Sequence, residues 1–131
     1  MCIFCQIIAG ELPAHKVYED EQVVAILDIK PVHAGHILVL PKKHVANLEE
    51  ISETDLSAVI TVVKKIGGLL KEKLNYIGYN VVENNDPIAG QEIPHLHFHL
   101  IPRLENDGLN HWAHQEYKPG EAEEILKKLK S

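Results

Sequence analysis

The sequence predicts an α+β fold: a mainly antiparallel sheet, one long amphipathic helix and short helices at the two ends. Three observations lead there. Short stretches rich in β-branched residues lie close together between turn formers, so neighbouring strands are joined by links too short for parallel crossovers. One stretch alone, residues 56–74, repeats its apolar residues at helical spacing over several turns. No internal repeat, low-complexity tract or linker interrupts the 131 residues, a length that suits one domain with its own core.

In chain order, "CIFCQIIAG" reads as a short helix stopped by Gly10. "HKVYEDEQVVAILDI" reads as two strands about an acidic turn, with Val17, Val23, Val24, Ile26 and Ile29 as apolar candidates. "HILVLPKKH" is a strand ended by Pro41, and "VANLEEI" after it a short helix. "SETD" caps the long helix, whose apolar stripe is Leu56, Val59, Ile60, Val63, Ile66, Leu70 and Leu74. Gly67 and Gly68 lie inside it at about 1 kcal/mol each relative to alanine, either for close packing or by simple tolerance. "IGYNVVE" is a strand, "NNDPIAGQ" a loop and "HLHFHLIP" a strand by alternation. From about residue 104 the chain runs as a tail into "PGEAEEILKKLK", a helix with acids first and lysines last, matching its dipole.

Composition narrows the function. Hydrophobic residues at 45% and charged residues at 24% mark a soluble globular chain, and runs such as "HILVL" are far too short for a bilayer, so no membrane partner is expected. The first twenty residues have no basic start and turn acidic early, which favours the cytoplasm. A net charge of −6 argues against a nucleic-acid partner, although local donors can still hold a small phosphate. The only arginine is Arg103, so such a site cannot be an arginine cluster. Cys2 and Cys5 lie too close together to staple the fold. A C-x-x-C pair reads first as a metal or redox motif, and no thioredoxin-like βαβ pattern supports the redox reading.

The stretch "IPHLHFHLIPR" packs three of the nine histidines into five positions. On a strand His95, His97 and His99 share one face, and Leu96, Phe98 and Leu100 fill the other, the core face. Three uses are open: buried structural histidines, metal ligands, or a nucleophile with its helpers. Alternate residues are about 6.5–7 Å apart along a strand, so at most two of the three can ligate one tetrahedral ion. A neutral imidazole is a competent nucleophile towards phosphorus. The backbone N–H groups of "AGQEI" could take the phosphate oxygens without arginines.

"HLHFHLI" matches the His-φ-His-φ-His-φ-φ pattern of the histidine triad (HIT) superfamily of nucleotide hydrolases and transferases. The "AGQ" before it, the "PR" after it and "IFCQIIAGELPAHKVYEDEQVVAILDIKPVHAGHILVLPKKH" resemble the Hint branch, so the likeness covers most of the chain up to about residue 103. The Fhit branch is similar across the triad and less so before it.

By this resemblance His97 is the nucleophile that attacks the α-phosphorus and forms a nucleotidyl-histidine intermediate, which water then hydrolyses. His99 contacts the phosphate oxygens or assists the leaving group, and His36 supports the triad from a neighbouring strand. Asp28 meets the ribose hydroxyls, as a carboxylate can accept from both. Asn84 stands near the leaving group, with Asn85 as the alternative match, and Gln91 and the N–H groups around Glu92 line the phosphate pocket. Glu92 departs from the family, whose Hint branch commonly has serine there and Fhit branch threonine; an ionised glutamate would repel phosphate unless its side chain turns outward. The tail, longer than in Hint-like proteins, leaves a role for Trp112 unassigned, and His111 and His114 read as loop residues.

Bacterial members with the N-terminal cysteine pair complete a zinc site with two histidines, which here correspond to Cys2, Cys5, His44 and His95. The resemblance thus implies a structural zinc, no catalytic cofactor, a homodimer and a purine nucleoside 5′-phosphoramidate substrate. The alternatives are a dinucleoside polyphosphate hydrolase of the Fhit type, a zinc-dependent hydrolase whose nearest general base is Glu92, and a low-turnover nucleotide-binding module.

Overall fold

Turn chemistry and alternation set the strands. In the computed structural model, which describes residues 2–131, helix α1 (Ile3–Ile8) starts from Cys2, whose Sγ accepts the Cys5 N–H. Strands β1 (Lys16–Glu19) and β2 (Val23–Leu27) form a hairpin. Its acidic turn is closed by Asp20, whose Oδ1 accepts the N–H groups of Gln22 and Val23 at 2.7 and 2.8 Å. Strand β3 (Ile37–Pro41), helix α2 (Glu53–Leu74), strands β4 (Gly78–Glu83) and β5 (Phe98–Arg103) and helix α3 (Glu121–Lys130) follow. All pairings are antiparallel, in the order β1-β2-β3-β5-β4. This is the α+β arrangement expected, and no helix among the described residues is long and apolar enough to cross a membrane.

The sheet is covered on both faces, and the period of two sorts its residues. Val23, Ala25, Ile37 and Val39 join Leu96, Phe98 and Leu100 against Val59, Val62, Val63, Ile66 and Leu70 of α2. Val24, Ile26, Leu38 and Leu40 face the other way, against Phe4 and Ile7 of α1. Each such aliphatic side chain contributes roughly 1.5–3 kcal/mol by leaving water. The triad histidines belong to this second, thinner layer.

Two expected elements differ. Residues 45–51 form turns rather than a helix. Their backbone groups are spent on distant partners: the Val45 carbonyl accepts the Leu96 N–H at 2.8 Å, and the Leu48 N–H donates to Asn85 Oδ1 at 2.9 Å. The triad strand begins only at Phe98. Extending its ladder would set Leu96 opposite Pro41, which has no N–H to give.

Gly67 and Gly68 separate on inspection. A Cβ on Gly67 would fall within 2.3 Å of the Tyr79 ring, whereas one on Gly68 would meet nothing within 4 Å. Gly67→Ala is therefore expected to destabilise by about 1–3 kcal/mol through overpacking, and Gly68→Ala to stabilise by about 1 kcal/mol through helix propensity. Urea denaturation of both variants checks this, and equal effects would contradict it.

Candidate active site

The site lies where β5 begins, between α1, the turn after β2 and the loop before the triad. Each histidine there has a protonation pattern set by its neighbours. His97 Nδ1 is 2.7 Å from the His95 carbonyl oxygen. A carbonyl only accepts, so Nδ1 carries the hydrogen and Nε2 keeps its lone pair. The Val32 N–H donates to His36 Nδ1 at 3.1 Å, so the His36 hydrogen is on Nε2 and is donated to His99 Nδ1 at 2.9 Å. His99 is left with Nε2–H as its free donor. His97 and His99 thus present a lone pair and a hydrogen, side by side with ring centroids 5.0 Å apart.

Burial keeps these imidazoles neutral. It lowers the pKa of His36, against the pull of Asp28, and that of His97 likewise. His99 is pushed down to about 4 by burial and by the neighbouring His97 and His36. A neutral ring is the nucleophilic form.

A cleft of about 520 Å³ opens over His97 and His99 and is lined also by Asp28, Lys30, Asn84, Gly90 and Glu92. Of the two candidate asparagines, Asn84 lines it, and Asn85 instead bonds Leu48 and Glu49 to shape the loop. Gln91 does not line it, a correction to the sequence expectation. Its Oε1 accepts the Asp86 N–H and its Nε2 donates to the Ala46 and Ile93 carbonyls, so the amide braces the loop from behind. The N–H groups of Ala89, Gly90 and Gln91 are likewise spent on the Asp86 and Pro87 carbonyls, whereas Glu92 and Ile93 donate to none among the described residues. Glu92 is exposed at the rim, beside the space lined by Cys2 and His44.

A second, apolar cavity of about 260 Å³ adjoins the cleft and shares Asp28 with it; Phe4, Ile7, Leu27, Ile29 and Ile93 supply its walls. These residues were not singled out for the site from the sequence. The only hint there was apolar residues left over on the side chain face opposite α2.

Cys2, Cys5, His44 and His95 converge from α1, the turn after β3 and the triad segment. His95 Nε2 donates to the Pro41 carbonyl at 2.8 Å, which leaves the Nδ1 lone pair facing the sulfurs. His95 Nδ1 is 3.4 and 3.7 Å from the two sulfurs and 3.2 Å from His44 Nδ1, and His44 Nδ1 is 3.3 Å from Cys5 Sγ. A tetrahedral ion with zinc bond lengths spaces two nitrogens about 3.3 Å apart and a nitrogen and sulfur about 3.6 Å apart. The donor set therefore fits zinc in kind and in spacing.

Asp28, His36 and His99 also lie close together, but their hydrogens oppose a cation. The Val32 N–H keeps the His36 hydrogen on Nε2, the very atom that would have to bind the ion. This cluster is a hydrogen-bond relay.

His111, His114 and Trp112 lie on the exposed tail, and none of them lines the cleft over His97 and His99. The apolar side chains of α3, Ile125, Leu126 and Leu129, are all exposed.

Comparison with known proteins gives the relatives of this chain. The HIT domain model matches residues 9–106. An uncharacterised HIT-like protein of Methanocaldococcus jannaschii is 51% identical over 130 residues, 99% of each chain. The adenosine 5′-monophosphoramidase of Schizosaccharomyces pombe is 38% identical over 135 residues, 98% of each chain. The crystal structure of a HIT family member from Bacillus subtilis matches with a TM-score of 0.91 at 40% identity, covering 98% of this chain and 94% of that one. A zinc-bound histidine triad family protein from Mycobacterium smegmatis matches at 0.79 and 32%, covering 98% and 95%.

Proposed function

The chain belongs to the histidine triad family, and from that premise we propose that it is a nucleotide hydrolase that cleaves purine nucleoside 5′-phosphoramidates through a nucleotidyl-His97 intermediate. The observation that carries this is the pairing of a bare His97 Nε2 with a hydrogen-bearing His99 Nε2 over one cleft. His97 Nε2 attacks the α-phosphorus as the P–N bond breaks; the neutral His99 donates its Nε2–H as a hydrogen bond to the departing nitrogen, which takes its proton from solvent. Water then cleaves the P–Nε2 bond: its hydroxyl goes to phosphorus and its proton back to solvent, which frees His97 and releases the nucleoside monophosphate. The Glu92 and Ile93 N–H groups serve the phosphoryl oxygens. The apolar cavity suits the base, and Asp28, shared by both spaces, suits the ribose hydroxyls. Asn84 stands on the leaving-group side.

Cys2, Cys5, His44 and His95 would hold a structural zinc, whose chemistry is to tie α1 to the triad segment. A reducing compartment such as the cytoplasm keeps the two free thiols available. A homodimer is supported by the unpaired outer edge of β4 and by the exposed apolar side chains of α3, with the chain beyond about residue 104 acting as its tail.

Release of AMP from adenosine 5′-phosphoramidate tests the activity. Cleavage of diadenosine tetraphosphate with the phosphoramidate left intact would favour the Fhit-type reading instead. Glu92 should weigh against such polyanions. Glu92→Ser is expected to raise kcat/KM for the tetraphosphate by about fivefold, the ~1 kcal/mol of one unit charge near 4 Å in a water-like medium, and to change the phosphoramidate reaction much less. Parallel changes on both substrates would show that Glu92 has no part in selection.

A further inference from the structure

The relay that makes His99 a donor depends on the turn between β2 and β3, and that turn is held from outside the site. The Val32 N–H that sets His36, and the His33 carbonyl that accepts the His36 N–H at 3.0 Å, are on consecutive residues. The Asp28 N–H closes the same turn on the His36 carbonyl at 2.9 Å. The side chain of His33 points away from the site and its Nε2 lies 3.2 Å from Asp107 Oδ2.

Asp107 is a fixed anchor. Only 4% of its side chain is exposed, and Arg103, the last residue of β5, grips both oxygens, with Nε at 2.7 Å and Nη2 at 2.9 Å. The N–H groups of Leu104 and Leu109 donate to it as well. The Arg103 guanidinium holds the Asp107 carboxyl far below the usual carboxylate range, so it is an anion that can only accept. His33 Nε2 is therefore the donor. Of the five hydrogen bonds to Asp107, four come from Arg103, Leu104 and Leu109 of its own segment, and the fifth, from His33, reaches across to the turn between β2 and β3.

We propose that Asp107 and His33 are positioning residues of the active site: Asp107 fixes the His33 imidazole, which holds the turn that keeps the Val32 N–H on His36 and so keeps His99 a hydrogen-bond donor. The strand that carries His99 thereby braces, through its own far end, the turn that orients His99. This rests on the reading of His99 as the donor to the leaving group. Neither residue meets substrate. Loosening the turn lets His36 place its hydrogen on Nδ1, and the His99 hydrogen then moves to the side facing His36, where it serves no substrate.

The test compares His33→Phe, which keeps a ring but no donor, with His33→Gln, which returns an N–H near the Nε2 position. Steady-state kinetics on adenosine 5′-phosphoramidate is read beside long-range ¹H–¹⁵N correlation of the imidazoles, which reports the hydrogen-bearing nitrogen of His99. His33→Phe is expected to lower kcat by about tenfold, to leave KM within about twofold, and to mix the His99 tautomers. His33→Gln should recover most of the rate and the single tautomer. A His33→Phe protein with the wild-type rate and tautomer overturns the proposal. So does a loss confined to KM with the tautomer unchanged, or a His33→Gln protein as impaired as His33→Phe. Should His33→Phe not fold, the smaller His33→Leu answers the same question. If the wild-type protein does not turn over phosphoramidate, the proposed function fails, and the imidazole spectra still decide the clamp.

Discussion

Replacing His97 with alanine is expected to lower kcat/KM for adenosine 5′-phosphoramidate by about 10⁴-fold or more, as removal of a covalent nucleophile does elsewhere. The side chain is buried, and its Nδ1 is committed to the His95 carbonyl, so Nε2 is the one atom it has for the substrate. No other imidazole can take over. His99 offers a hydrogen where a lone pair is needed, and His95 faces the cysteines. The fold should persist, because Leu96, Phe98 and Leu100 anchor the segment from the opposite face. AMP release and a circular dichroism spectrum measure the two sides of this expectation. A variant with more than a few per cent of the wild-type rate would remove His97 from the reaction.

The second large effect concerns stability. With zinc held by Cys2, Cys5, His44 and His95 as proposed, stripping it with a strong chelator is expected to cost about 4 kcal/mol, the linkage contribution of an ion present at about a thousand times its dissociation constant. For a chain of this length that lowers Tm by roughly 10–15 °C. Without an ion Cys2, Cys5, His44 and His95 lose the one partner that all four share. Helix α1 also loses its tether, and Phe4 and Ile7 with it lose their hold on the thinner face of the sheet. Well below the lowered midpoint, AMP release should continue, because the His97 and His99 arrangement does not pass through the ion. Immediate loss of activity with the fold intact would instead make the triad part of a zinc-dependent hydrolase.

The alternation in "IPHLHFHLIPR" was enough to separate the core residues from the histidines, since the period of a strand leaves no other choice of face. It did not reveal that the ladder stops at Phe98, because that depends on Pro41 of another strand. Residues 45–51 carry ordinary helical propensity, yet their backbone groups are claimed by Leu96 and Asn85, partners about fifty and forty residues away. Gln91 illustrates the same limit: its residue type suits phosphate binding, and its three hydrogen bonds show that it shapes the loop instead. The apolar cavity beside Asp28 draws on α1, β2 and the loop before the triad, and no short motif reports such a convergence. Nor does any local pattern connect Asp107 to His33, 74 positions apart.

The central claim is that His97 becomes covalently bonded to the nucleotide. Intact-protein mass spectrometry, on wild-type protein mixed with adenosine 5′-phosphoramidate and quenched within the first turnover in alkaline denaturant, tests it most directly. The account predicts a transient species heavier by one adenylyl group, located on the peptide that contains His97 and missing from His97→Ala. Turnover at the normal rate with no such species, or with the group on another residue, would contradict it.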